Sequence, residues 1–245
     1  MRRPALTLLL MLLTLAPCLH AVAMSPPQAR VLVFTKTTGW RHDSIPTAVA
    51  ALQRLGAQQG MQVDHTEDAA WFNAERLARY QAVVFANTTL DVLDETQQAA
   101  METFVRGGGG FMGIHSAADT EYDWPWYGAL VGAWFLSHPP GLQTARLAWE
   151  QDGIASGETW TVTDELYNYR SNPRAQVDVT ATVLEADYTG GTMGADHPIA
   201  WCHAFDGGRS WYTGLGHEIA LYDDVRFQQQ LVRGLRYATG LAEEC

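Results

Sequence analysis

Between residues 30 and 115, short apolar runs alternate with segments whose apolar residues recur at helical spacing. Arg30 to Thr35, Met61 to His65, Tyr80 to Ala86 and a glycine-rich run leading to Ile114 each read as a buried strand. The helices between them start at recognisable caps. Asp43 or Ser44 precedes Pro46, with Ile45, Val49, Leu52 and Leu55 on one face. Asp94 and Gln97 form a capping box ahead of Met101, Phe104 and Val105, and Gly107 ends that helix. Strands and helices alternating at this interval predict an α/β domain whose mostly parallel sheet is covered on both faces, with right-handed crossovers.

From Tyr122 to about Arg174 the pattern loosens into a stretch rich in Trp, Tyr, Pro and Gly, the composition of an elaboration laid over strand ends. Strand-like runs return at Val177 to Leu184, Ile199 to Phe205 and Ser210 to Leu215, with Asp206-Gly207-Gly208 as a hairpin turn between the last two. A helix from near Asp223 carries Phe227, Leu231 and Leu235 on one face. With no repeat, low-complexity tract or linker in view, residues 24–245 are expected to form a single domain.

The first 23 residues are read differently. Arg2 and Arg3 precede an apolar run from Ala5 to Ala16, and Ala21-Val22-Ala23 supplies a small-x-small cleavage pattern, so a secretory signal cleaved after Ala23 is expected. The run is short for a membrane span and no second one follows, which leaves no membrane insertion after cleavage and a secreted or periplasmic product. Cleavage removes two arginines and no acid, leaving 14 basic against 27 acidic residues and a formal charge of −13. Such a surface repels phosphate backbones and anionic lipid, which sets nucleic acid aside and favours neutral or cationic ligands. Cys202 and Cys245 survive cleavage, and an exported compartment permits either a disulfide or two separate thiols.

Candidate chemistry gathers at histidines beside glycine or proline: His42, His115, His138 and His217. Predicted strand ends on one side of a parallel sheet converge, so residues distant in sequence share a pocket, His42 and His115 above all. Each is suited to proton transfer near neutral pH or to metal ligation. His65 reads as a strand end without function. Asp164-Glu165-Leu166-Tyr167-Asn168-Tyr169 offers carboxylates that orient an imidazole, move protons or complete a metal site, or else a capped turn with packed tyrosines. Tyr122, Trp124, Trp126, Tyr127, Trp134 and Phe135 suit either sugar faces or a core. At Gly113-Ile114-His115-Ser116-Ala117, a hydrolase elbow would place its nucleophile where His115 stands, and Ser116 is a weak substitute. Gly107 to Gly110 lacks the Gly-Lys-Ser/Thr of a phosphate loop.

The stretches Thr38-Gly39-Trp40-Arg41-His42-Asp43-Ser44-Ile45, Gly109 to Ala117, Ser137-His138-Pro139, Asp164 to Tyr167, His197 to Trp201 and Gly208 to His217 resemble the ThuA-like family, named for trehalose utilisation. The resemblance runs from about Arg30 to Gly240. It implies a three-layer, flavodoxin-like sandwich of the class I glutamine amidotransferase type, with a pocket around His42, His115, His138, Glu165 and His217. It further implies sugar metabolism, on a disaccharide or a 3-keto glycoside produced by a companion oxidoreductase. With His115 in place of the amidotransferase cysteine, glutaminase activity is not expected.

The expected enzyme uses His115, His42, Glu165 and His217 for acid–base chemistry, and Trp40, Arg41, Ser116, Asp164, Tyr167 and His138 to contact substrate. A divalent metal, if held, would sit at His115, His138 and Glu165. The rival readings are a non-catalytic carbohydrate-binding protein of the envelope and a metal-dependent hydrolase of another small molecule.

Overall fold

The computed structural model describes residues 28–150 and 159–245. The leader expected over residues 1–23 lies outside them. Among the described residues no helix is long and apolar enough to cross a membrane.

The chain begins with β1 (Arg30–Phe34), α1 (Ile45–Gln58) and β2 (Gln62–Thr66). A single-turn helix, α2 (Ala74–Leu77), leads into β3 (Ala82–Ala86), α3 (Glu95–Arg106) and β4 (Gly110–Ile114). Next come α4 (Pro125–Val131), β5 (Phe135–Ser137), β6 (Gln143–Trp149), β7 (Thr159–Asp164), β8 (Asn168–Tyr169) and β9 (Asp178–Val183). The last elements are β10 (Pro198–Phe205), β11 (Gly208–Thr213) and α5 (Val225–Ala238). Nine strands form one sheet in the order β2-β1-β3-β4-β11-β10-β9-β6-β7, and β5 pairs with β8 apart from it. The sheet is mixed: parallel from β2 through β11, antiparallel from β11 through β7.

The parallel strands are covered on both sides, which is why their sequences are almost continuously apolar. Val31 to Phe34, Ala82 to Ala86 and Phe111, Met112 and Ile114 are all fully buried, each large side chain contributing about 1.5–3 kcal/mol. Rings of Phe34, Phe72, Phe85, Phe111 and Tyr127 meet edge-on with centroids 4.6–5.8 Å apart, locking neighbouring strands in register. Helices α1 and α5 pack against each other, and α5 also against β11, β4 and β3.

Local signals operate largely as expected. Asp94 and Gln97 form the capping box of α3, and Asp206 (φ 47°) and Gly207 (φ 93°) make a two-residue turn of the primed type between β10 and β11. Ser44 stands at the start of α1 without capping it. Its hydroxyl is drawn instead to the Gly216 carbonyl at 3.0 Å. Cys202 on β10 and Cys245 are joined in a disulfide with their Cα atoms 6.3 Å apart, tying the segment after α5 to the sheet.

The loosened stretch is not wholly an elaboration over strand ends. Residues 143–149 and 159–164 are strands of the main sheet, with Trp160, Val162 and Asp164 of β7 turned inward at every second position. Successive antiparallel pairings leave β7 running in the direction of β11, so its end returns to the edge where the parallel strands finish. Most of the aromatics in this stretch are structural. Tyr127 and Trp124 are buried, Trp126 stacks on Trp124, Trp134 bonds the Thr120 carbonyl, and Tyr122 lies beneath Arg170.

Candidate active site

Strands β1, β3, β4 and β11 end on one edge of the sheet, the position where wound α/β folds hold ligands. The loops after them carry Trp40 and His42, Asn87, His115 and Asp119, and His217. Residues beyond β7 add Glu165 and Tyr167, β5 adds Phe135, and the residue after it is His138. Together Trp40, His42, Asp119, Phe135, His138, Glu165, Tyr167 and His217 line a cavity of about 450 Å³. Two other hollows lie away from this edge. In the one beside β2, Arg30 pairs with Asp64, Arg79 with Glu75, and Arg76 lies over the Trp71 ring.

His115 stands at the turn from β4 into a short 3₁₀ helix with φ 51°. A left-handed backbone at a residue with a Cβ costs about 1–3 kcal/mol and persists only where its surroundings enforce it. Here Tyr212 donates its hydroxyl to the His115 carbonyl at 2.8 Å, and His115 Nδ1 donates to the Gly214 carbonyl at 2.9 Å. The ring is fully buried and Nε2 lies 3.4 Å from Glu165 Oε2. His217 Nδ1 lies 3.2 Å from the same oxygen, and His138 Nδ1 3.2 Å from Oε1. Neither His115 Nε2 nor His217 Nδ1 meets the carboxylate in a hydrogen-bonding direction, so both remain buried without a partner. The rings of His42, His115 and His217 stand edge to face, with centroids 4.9–5.3 Å apart. Tyr167 covers His115 with centroids 4.2 Å apart.

The loop that carries His217 is fixed from several sides. Asp164 accepts the backbone N–H groups of Gly216 at 2.7 Å and Glu218 at 2.8 Å. The Gly216 carbonyl accepts Ser44 Oγ, Asn87 Nδ2 and Tyr222 Oη at 3.0, 3.3 and 3.1 Å. Gly216 has φ 125°, and a Cβ there would stand 2.8 Å from Ile114 Cγ2, so only glycine fits.

Crowding sets the charges. Burial, then the neighbouring His115 and His217 rings, lowers the His42 pKa from 6.5 to about 3, keeping that imidazole neutral. Burial opposes ionisation of Glu165, but the adjacent His115 and His217 outweigh it and hold its carboxyl well below the usual range. Glu165 in turn raises His217 against the effect of burial. Burial raises Asp119 despite its hydrogen bond from Tyr122, and it raises Asp164 despite the N–H groups that Asp164 accepts.

Trp40, His42, Glu165, Tyr167, His138 and His217 therefore share one cavity as expected from sequence, with His115 beneath it. Three residues assigned to substrate contact do not reach it. Arg41 turns outward to an ion pair with Glu67 at 2.7 Å. Ser116 is fully buried, 3.4 Å from His42 Nδ1. Asp164 is fully buried with both oxygens committed to backbone. The potential metal-ligand group also changes: His42, His115, Glu165 and His217 hold ligand atoms within 4.8 Å of one another, a group that leaves His138 out. His138 Nδ1 donates instead to the Pro139 carbonyl at 2.8 Å. Phe135, expected as either a sugar face or core, lines the cavity, and so does Asp119, which was not named; Asp119 follows His115 by four residues, and that proximity is the available signal.

Two solved structures of ThuA-like proteins, from Bacteroides uniformis ATCC 8492 and Parabacteroides merdae ATCC 43184, match with TM-scores of 0.73 and 0.71 at 20% identity. The matches cover 89% and 87% of this chain and 95% and 91% of those. A β-galactosidase from Bacillus circulans sp. alkalophilus matches with a TM-score of 0.56 and 16% identity over 86% of this chain, but over only 31% of that enzyme. At these identities the likeness is one of fold. No curated protein matches. The family model for trehalose utilisation, ThuA, matches residues 30–238, and the chain belongs to that family.

Proposed function

We propose that the chain is an exported sugar-processing enzyme of the ThuA-like type that acts on a disaccharide or 3-keto glycoside through histidine and carboxylate chemistry. The observation that carries this reading is the meeting of three imidazoles and one carboxylate at a cavity of about 450 Å³ with flat walls at Trp40, Phe135 and Tyr167. Flat apolar faces beside a few orienting polar groups suit the CH faces and hydroxyls of a sugar. Trp40 is 73% exposed and free to lie against one. The disulfide between Cys202 and Cys245 fits an oxidising compartment outside the cytoplasm. A three-layer flavodoxin-like arrangement of amidotransferase type accords with the parallel half of the sheet.

A ketone at C3 acidifies the C2–H bond. A base takes that proton, the C1=C2 bond forms, and the C1–O bond breaks while an acid protonates the departing oxygen. Addition of water at C1 completes glycosidic cleavage. The base and acid come from the groups around the cavity, His42, His115, His217 and Glu165 together with Asp119 and His138. A sugar oxidoreductase that installs the C3 ketone supplies the substrate. His115 occupies the nucleophile position of the amidotransferase elbow, so glutaminase activity is not expected.

Incubation with a 3-keto disaccharide, followed by NMR, is expected to show release of the monosaccharide units. Unchanged disaccharide sinks the enzyme reading. Ligand-induced resonance shifts without turnover would instead mark a carbohydrate-binding protein.

A further inference from the structure

We infer that His42, His115, Glu165 and His217 together form a site for one divalent transition-metal ion of the zinc class. Their ligand atoms lie within 4.8 Å of one another. The Gly214 carbonyl is an acceptor only, so His115 Nδ1 carries the proton and, in the neutral ring, Nε2 presents a lone pair. That lone pair faces Glu165 Oε2 at 3.4 Å, and His217 Nδ1 faces the same oxygen at 3.2 Å. These spacings match the edge of a tetrahedron with metal–ligand bonds of about 2.0–2.1 Å. Both nitrogens are otherwise unpartnered in a buried place.

A proton is the rival occupant. Neither nitrogen is directed at the carboxylate as a hydrogen-bond donor must be, so a proton on either ring leaves that nitrogen unpartnered. Two protons place imidazolium rings with centroids 5.3 Å apart around a single carboxylate. A cation among the four groups serves all of them at once. Three imidazoles and a carboxylate suit a zinc-class ion better than calcium or magnesium, which prefer all-oxygen shells. The carbonyl behind His115 Nδ1 is the support that metal-bound histidines characteristically have.

This inference rests on the same cavity as the sugar reading and deepens it. When bound, the ion would supply a Lewis acid for a ketone or other carbonyl by accepting that oxygen in addition to the four side chains. With His42, His115, Glu165 and His217 engaged as ligands, proton transfer is left to Asp119 and His138, which line the cavity outside the ligand group.

The test is to strip the whole protein with a chelator, titrate it with Zn²⁺ in a calorimeter, and record the visible spectrum of the Co²⁺ form. One equivalent should bind, with the strong absorption of low-coordinate cobalt. Glu165→Gln, which keeps the side chain's shape, and His217→Ala should each weaken binding by more than about 100-fold, beyond the effect of losing an outer-sphere partner. His138→Ala, which removes an outer-sphere neighbour of Glu165 rather than a ligand, should weaken it by less than about 100-fold. Near-UV circular dichroism identifies any variant that has lost its fold. Absence of stoichiometric binding overturns the inference, as does unchanged affinity in Glu165→Gln and His217→Ala or loss of binding in His138→Ala alone. Turnover of a 3-keto disaccharide by protein that binds no metal removes the metal and keeps the sugar reading. Stoichiometric binding without turnover does the reverse.

Discussion

His115 and His197 are both fully buried, and both stand beside a glutamate. His197 Nε2 donates to the Tyr167 carbonyl at 2.8 Å, while Nδ1 meets Tyr188 Oη at 3.2 Å and Glu185 Oε1 at 2.9 Å. That ring has partners in either state, the tyrosine hydroxyl when neutral and the glutamate when charged. His115 has one nitrogen bound and the other facing a carboxylate with no bond formed. A buried polar atom left unmatched costs about 1–3 kcal/mol, so the open nitrogen of His115 is a cost that His197 does not carry. The same pair of residue types is thus fully partnered in one place and left with an open nitrogen in the other.

Exchanging each ring for alanine should separate the two most sharply. His115→Ala is expected to lower turnover of a 3-keto disaccharide by about 10²–10⁴-fold, while the free energy of unfolding moves by no more than about 2 kcal/mol. His197→Ala is expected to cost about 2–3 kcal/mol in urea unfolding, because it strips a partner from the Tyr167 carbonyl, the Tyr188 hydroxyl and Glu185 together, whereas His115→Ala strips only the Gly214 carbonyl. A stability loss larger for His115→Ala than for His197→Ala would reverse the comparison.

Titration sharpens it further. His42 has an ordinary pKa of 6.5 that falls to about 3 on folding. Between those values the unfolded chain binds a proton that the folded chain refuses, so stability falls as pH drops through this window. The slope from this group is at most about 1.4 kcal/mol per pH unit, and His42→Gln should remove it from stability curves measured between pH 6.5 and 3. The smallest effect belongs outside the cavity. Arg41→Ala breaks an exposed ion pair with Glu67, so it should cost under about 1 kcal/mol and leave turnover unchanged in the same assay.

The parallel half of the sheet was legible because its rules are local. The capping box at Asp94 and Gln97, the Asp206-Gly207 turn and the runs ending at Phe34, Ala86 and Ile114 each depend on a few neighbouring residues. The antiparallel half was less so, although Thr159-Trp160-Thr161-Val162-Thr163-Asp164 does alternate polar and apolar positions as a strand should. Surrounding tryptophans and glycines masked that alternation. Within the site, strand direction placed His42 and His115 at one edge, whereas Glu165 and His217 joined them only through the resemblance to the ThuA-like family, because β7 was not recognised as a strand. Neither gave access to side-chain direction, which is how Arg41, Ser116 and Asp164 came to be assigned to a cavity they do not reach. Asp119 went unassigned because its one signal, standing four residues after His115, does not by itself distinguish a carboxylate that lines a cavity from one at the surface.

The three donors on the Gly216 carbonyl come from separate parts of the chain: the start of α1, the end of β3 and the short helix before α5. A loop held this way opens only when several elements yield together, so the amides of Gly216 and Glu218, both held by Asp164, should be among the slowest to exchange with solvent outside the central strands. A ligand then meets His217 already in place, and most of the entropy lost on binding is its own.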